Sequence, residues 1–170
     1  GGAARIALGG KDPVVIYMAQ NARLRDRLRF FEVGPVYLPN GTAELPAEPR
    51  RLAVGVAGRV APASWRDADA GRADFFDLKG VVEALLSGLH VTAVTFEPVT
   101  HPTFAPGRTA RILIAGQGLG TLGEIDPQVR AAFDLPPGPV CLAELDLDAL
   151  LTCVPLTYCV AAVPRFPPAL

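Results

Sequence analysis

The stretch RFFEVGPVYLPNGTAELPAEPRRLAVGVAGRV, Arg29 to Val60, decides the fold. FFEVGPVYL reads as a strand, and RRLAVGVAGRV as a second one, apolar on alternate sides with small residues between. Asn40-Gly41 is a strong hairpin signal, and the prolines of PNGTAELPAEP keep the connection itself out of regular pairing. An antiparallel pair is therefore expected.

Upstream, KDPVVIYMAQNARLRDRLR predicts a helix from about Pro13 to Arg29, capped by Asp12. Val14, Tyr17, Met18, Leu24 and Leu28 mark its apolar face. Arg23, Arg25, Arg27 and Arg29 alternate too closely to share one helix face and read as a solvated helix end. Downstream, APASWRDADAGRA is a polar loop with Trp65 as its expected anchor. DFFDLKGVVEALLSGL is the clearest helix, capped by Asp74, with Leu78, Val82, Leu85 and Leu89 at the helical period. Gly80 costs that helix about 1 kcal/mol against Ala, so close packing by a neighbour is expected there.

HVTAVTFEPV then reads as a strand, HPTFAPGR as a Pro-rich turn, and TARILIAG with GLGTLGEI as a hairpin about Gly116 to Gly118. DPQVRAAFDL is a short helix capped by Asp126, and PVCLAELDLDALL a strand running into a helical turn. PLTYCVAAVPRFPPAL is an extended exit. Strands are not regularly separated by crossover helices. The expected class is α+β, a mixed or antiparallel sheet with a few packed helices.

The bulk numbers exclude several classes. With 170 residues, half of them hydrophobic, the chain can build a core. A net charge of −1 gives no global attraction to nucleic acid or an acidic membrane. No window reaches the roughly 18 uninterrupted apolar residues of a membrane span. Cys141, Cys153 and Cys159 form no CxxC, and the two histidines lie far from them, so reduced core thiols in a cytoplasmic protein are expected rather than a zinc site. The start, GGAAR, reads as the edge of an excised domain.

RLRFFEVGPVYLP, EPRRLAVGVAG, DFFDLKGVVEALL, HPTFAPGRTARILIAGQGLGTLGEIDPQVRAAFDLP and VCLAELDLDALL arrive in the order seen in the β chains of bacterial phenylalanine–tRNA ligases, which the chain resembles as far as about Leu151. The resemblance implies a class II aminoacyl-tRNA synthetase-like domain over residues 1–154 and an exit over residues 155–170 toward an absent anticodon-binding module. It also implies a heterotetramer in which the α chain binds ATP and Mg²⁺ and performs the chemistry. This domain would help assembly without catalysis, cofactor or metal of its own, and tRNA would be met by the whole enzyme.

Charge and parity agree with lost chemistry. A class II site places an arginine two residues before a glutamate on one strand and a second arginine on a later helix. Here Arg29 lies three residues before Glu32, so the two point to opposite faces, and Phe30 takes the arginine's position. AELDLDALL, Ala143–Leu151, carries Glu144, Asp146 and Asp148 and no arginine, and three carboxylates repel a triphosphate. Phe30 and Phe31 read as core or interface residues, and Glu32 as a strand-end hydrogen-bonding residue.

The other candidates have structural readings beside their chemical ones. His101 and Asp126 as an acid–base pair lack a nucleophile motif, with Ser64 in a loop and Ser87 at a helix end. GQGLGTLGE lacks the Lys-Ser/Thr of a phosphate loop. Asp146 and Asp148 could share Mg²⁺, or Asp146 could cap the helix after it. Arg50, Arg51, Arg59 and Arg66 could form a tRNA patch, or blunt a strand edge. Two other functions stay open: an amino-acid-binding domain reusing the synthetase fold, and an enzyme working through Glu32, His101 or Asp148.

Overall fold

The computed structural model describes residues 27–38, 45–62, 64–65, 71–135 and 137–157. Among the described residues six strands form one sheet: β1 (Arg27–Pro35), β2 (Arg50–Gly58), β3 (Val94–Pro98), β4 (Phe104–Ile114), β5 (Gln117–Ile125) and β6 (Val140–Asp146). The order is β1-β2-β6-β5-β4-β3, and every neighbouring pair is antiparallel. The helices among the described residues are α1 (Phe75–Gly88), α2 (Pro127–Ala132) and α3 (Leu147–Cys153). The α+β class is as expected, with the sheet wholly antiparallel.

The alternation of β2 builds two cores at once. Leu52, Val54 and Val56 face one side, with Cys141, Ala143 and Leu145 of β6 and with Leu78, Val82 and Leu86 of α1. Ala53 and Ala57 face the other, with Leu142, Phe104, Ile125 and Leu135. The first side is the helix face. The second, the front face, is covered near Val129 and Phe133 around α2.

Helix α1 begins where its sequence signals it. Asp74 Oδ1 accepts from Phe76 N at 2.8 Å and Asp77 N at 3.2 Å, and Asp77 Oδ2 accepts from Asp74 N at 2.8 Å. This reciprocal cap stabilises the first turn by about 1 kcal/mol. Its fully buried stripe is Leu78, Val82 and Leu86, with Leu85 and Leu89 half-buried at its flank. Asp126 and Asp146 cap α2 and α3 as expected, accepting from Gln128 N at 2.8 Å and Ala149 N at 2.9 Å.

Several expectations are corrected. The helix expected to reach Arg29 cannot include Arg27–Arg29, which open β1; the Arg-Leu-Arg-Phe alternation is a strand period, not a helical one. Residues 13–26 of that helix, Asn40-Gly41, Arg66, Cys159 and residues 158–170 of the exit lie outside the described residues. Trp65 is no anchor: it is 96% exposed. Gly80 has open space where a Cβ would be, so among the described residues no neighbour packs there. HPTFAPGR is not all turn, because buried Phe104 starts β4. The β4–β5 turn is Ala115-Gly116, with φ of 49° and 80°. Arg50 and Arg51 do not lie on a sheet edge, since β2 sits between β1 and β6.

Candidate functional site

The front face divides into an apolar end and a polar end. At the apolar end Phe30 lies over Gly55, so closely that a Cβ there would meet its Cε1 and Cζ at 2.7 Å. Phe104 lies over Gly123 in the same way, its Cγ 2.7 Å from where a Cβ would stand. A glycine opposite each ring lets the aromatic settle onto the backbone of the sheet.

The polar end is a cleft of about 420 Å³, lined by Arg51, His101, Arg111, Thr121, Glu144 and Asp146 among others. Pairing explains the convergence. Glu97, Arg111, Thr121, Glu144, Ala53 and Glu32 stand in one cross-strand row, in the order of β3, β4, β5, β6, β2 and β1. Arg51 pairs across β2–β6 with Asp146, makes an ion pair with it, and has Nε 3.7 Å from Glu144 Oε1. Arg111 has no ion-pair partner among the described residues.

Arg29 goes to the helix face, opposite Val56, whereas Glu32 is opposite Ala53 on the front face. The parity read from the sequence therefore holds. The Arg29 guanidinium donates to three main-chain oxygens, of Leu28 at 2.6 Å, Ala57 at 3.0 Å and Arg59 at 3.2 Å. Partial burial, and then the like charge of Arg27, lower its pKa from the ordinary value.

The remaining candidates are dispersed. Asp148 leaves the strand and lies on α3, where its carboxylate accepts from Arg50 N at 2.9 Å, Nε at 2.8 Å and Nη2 at 2.6 Å. Those hydrogen bonds hold its carboxyl below the usual carboxylate range. Asp146 and Asp148 thus do not form a strand-side pair, and no cluster of three or more His, Cys, Asp or Glu among the described residues could hold a metal. His101 Nδ1 accepts from Thr103 N at 3.3 Å and its ring stacks near Phe104, 5.1 Å between centroids. Of Glu32, His101 and Asp148, only His101 lines the cleft. Asp126 is used as a cap. Gln117–Glu124 of GQGLGTLGE lie within β5, with Gly116 in the turn before it. Arg50 and Arg51 are engaged by acids rather than presented as a free basic patch. Cys141 is a core thiol, pushed up to about 12 by burial, but Cys153 is exposed, against expectation. Arg111 and Thr121 escape a sequence reading because only the strand register brings them beside Glu144.

On the helix face, a second groove of about 700 Å³ runs between β1, β2 and α1, walled by Phe31, Val33, Leu52, Val54, Val81 and Leu85. Phe31 is 73% exposed, Val33 52% and Val81 44%. Isolated exposed apolar residues are ordinary on protein surfaces, but a contiguous patch marks an interaction site.

Residues 14–147 match the family described as the phenylalanyl tRNA synthetase beta chain CLM domain. The chain is 42% identical over 154 residues to the phenylalanine–tRNA ligase beta subunit of Symbiobacterium thermophilum, covering 91% of the chain and 17% of that protein. It is 39% identical over 141 residues to that of Syntrophotalea carbinolica, covering 82% and 17%. For that of Dechloromonas aromatica the identity is 38% over 152 residues, covering 87% and 18%. The chain thus spans under a fifth of the length of these relatives.

Proposed function

The chain belongs to the β-subunit family of phenylalanine–tRNA ligases, and from that membership we propose that it is a structural, non-catalytic domain of class II synthetase type. It supports assembly with a catalytic α chain in the ATP-dependent attachment of phenylalanine to tRNA. The domain spans residues 1–154, the exit follows over residues 155–170, and the assembly works in the cytoplasm. ATP and Mg²⁺ are bound by the α chain, and tRNA is met by the assembled enzyme.

The observation that carries this reading is the exposed apolar groove beside β1. Phe31, Val33 and Val81 present side chains that a partner would take out of water, at about 25 cal/mol per Å² buried. The absence of catalysis is supported by the loss of the cation clamp. Arg29 is spent on main-chain oxygens, Phe30 fills the face over Gly55, and Arg50 and Arg51 are paired with Asp148 and Asp146 rather than free to clamp a triphosphate.

Size-exclusion chromatography with the cognate α chain tests the proposal. A stable joint peak is expected. Separate peaks at micromolar concentration would overturn the assembly role. No membrane partner is proposed, and among the described residues no helix is long and apolar enough to cross a membrane.

A further inference from the structure

We infer that the outer edge of β3 binds a second copy of this chain, strand against strand about a twofold axis, so that two sheets continue as one. β1 and β3 are the two ends of the strand order. The contact therefore lies at the far edge from the groove proposed for the α chain and does not require that chain.

The ladder shows which main-chain groups face outward. Val94 to Pro98 pair with Ile114 to Ala110. Just outside that register, Ala115 N donates to Ala93 O at 3.0 Å and Val99 N donates to Thr109 O at 3.2 Å. Hydrogen-bonded and non-bonded pairs alternate along an antiparallel ladder. Ala93, Thr95, Glu97 and Val99 are thus the residues bonded across to β4, and the N–H and C=O groups of Val94 and Phe96 point away from it. Among the described residues no strand lies on that side. An open row of this kind is a template for another strand.

Self-pairing uses the row without remainder. With Thr95 opposite Thr95 of the second copy, Val94 stands opposite the second copy's Phe96, and Phe96 opposite its Val94. Each of these two pairs exchanges both its N–H groups and both its carbonyls, a closed set of hydrogen bonds. Pro98, which has no N–H to give, falls outside the set. The twofold axis closes the contact, so it does not propagate into a filament through β3.

The side chains suit the same register. Val94 and Phe96 are half-buried and extend the helix-face core. Pairing sets each Phe96 beside the second copy's Val94 on that face, along the groove of about 810 Å³ that Leu86, Val91 and Phe96 help to line. Lys79, 4.5 Å above the Phe96 ring, already has Glu83 as its ion-pair partner, so the contact covers a compensated charge. On the front face exposed Thr95 meets exposed Thr95. Glu97 stands opposite the second copy's Ala93, four residues from the other Glu97, so like charges are not brought together. So short a pairing belongs with weak complexes, and a dissociation constant of about 0.1–1 mM is expected.

The experiment combines sedimentation equilibrium of the 170-residue chain with amide hydrogen exchange, both from about 20 µM to about 1 mM. A monomer–dimer equilibrium is expected, and the Val94 and Phe96 amides should exchange at least about twofold more slowly at the upper concentration. The Thr95 and Glu97 amides, which face β4, should not change. Thr95→Lys and Thr95→Glu each set like charges face to face across the axis and should weaken dimerisation by up to about fivefold. An equimolar mixture of the two variants should recover the parent's association or exceed it, since the opposed charges then attract. Circular dichroism reports whether each variant is folded. Should either be unfolded, the concentration dependence of the parent's Val94 and Phe96 amides decides. The proposal is overturned by a parent that stays monomeric at 1 mM, by Val94 and Phe96 amides indifferent to concentration, or by folded variants that associate as the parent does or whose mixture recovers nothing.

Discussion

Gly120→Ala should be among the most damaging single-methyl additions available to this chain. A Cβ at Gly120 would lie 2.2 Å from Glu144 O and 2.9 Å from Leu145 Cα. The nearest approach a real Cβ tolerates is 3.0 Å, so the oxygen must retreat by at least 0.8 Å. That atom is backbone in β6, at the Gly120–Leu145 pairing, and the strand cannot rotate away as a side chain can. The retreat strains one or two ladder hydrogen bonds, about 1 kcal/mol each, and disturbs Leu122 and Leu145, both fully buried. Overpacking of this kind costs about 1–3 kcal/mol. The reduced freedom of the unfolded chain returns about 0.5 kcal/mol, so the two costs together leave a net loss of about 1.5–4.5 kcal/mol. Gly80→Ala is the internal contrast: its Cβ meets nothing within 4 Å in an exposed helix position, so a gain of about 1 kcal/mol is expected. Urea unfolding followed by far-ultraviolet circular dichroism reads both. The midpoint should fall by roughly 1 M or more for Gly120→Ala and rise for Gly80→Ala. A loss below about 0.5 kcal/mol for Gly120→Ala would refute the close-approach reasoning.

Two further predictions concern titration. The Cys141 thiol, raised from 9.0 to about 12 by burial, should resist a thiol-directed disulfide reagent at pH 8 while exposed Cys153 reacts, and should react once urea unfolds the chain; labelling of native Cys141 as fast as Cys153 would contradict this. A raised folded pKa also means that Cys141 favours folding below about pH 9, and that this contribution is lost as pH rises toward about 12. Asp148 has the opposite sign. Arg50 lowers its folded pKa, so its contribution is present above the unfolded carboxylate value and disappears as pH falls through the lowered one. Asp148→Asn should therefore flatten the acid limb of a stability–pH profile, and an unchanged acid limb would count against the pairing.

Local signals carry much of the fold. The Asp74 cap, the 78/82 spacing and the alternation of β2 each depend on neighbours in sequence, and each element stands where its pattern predicts. Leu86 is hidden in the sequence because it adjoins Leu85, and only packing decides which of two adjacent leucines faces the core. Arg27–Arg29 look helical only while the preceding helical period is extended through a run that already alternates. The emptiness around Gly80 and the exposure of Trp65 are tertiary facts with no local trace. The opposite facing of Arg29 and Glu32 is legible from parity alone. The cleft is not, since Arg51, Arg111, Thr121 and Glu144 belong to four strands brought side by side by the order β2-β6-β5-β4.

The central claim is that the groove between β1 and α1 holds the domain against its α chain. It is tested most directly by measuring α-chain affinity of the parent beside Phe31→Asp and Val81→Asp, two exposed substitutions expected to leave the fold intact. The account predicts a loss of about a hundredfold or more in each, as for a central apolar contact replaced by a charge. Folded variants that bind the α chain as tightly as the parent would contradict it.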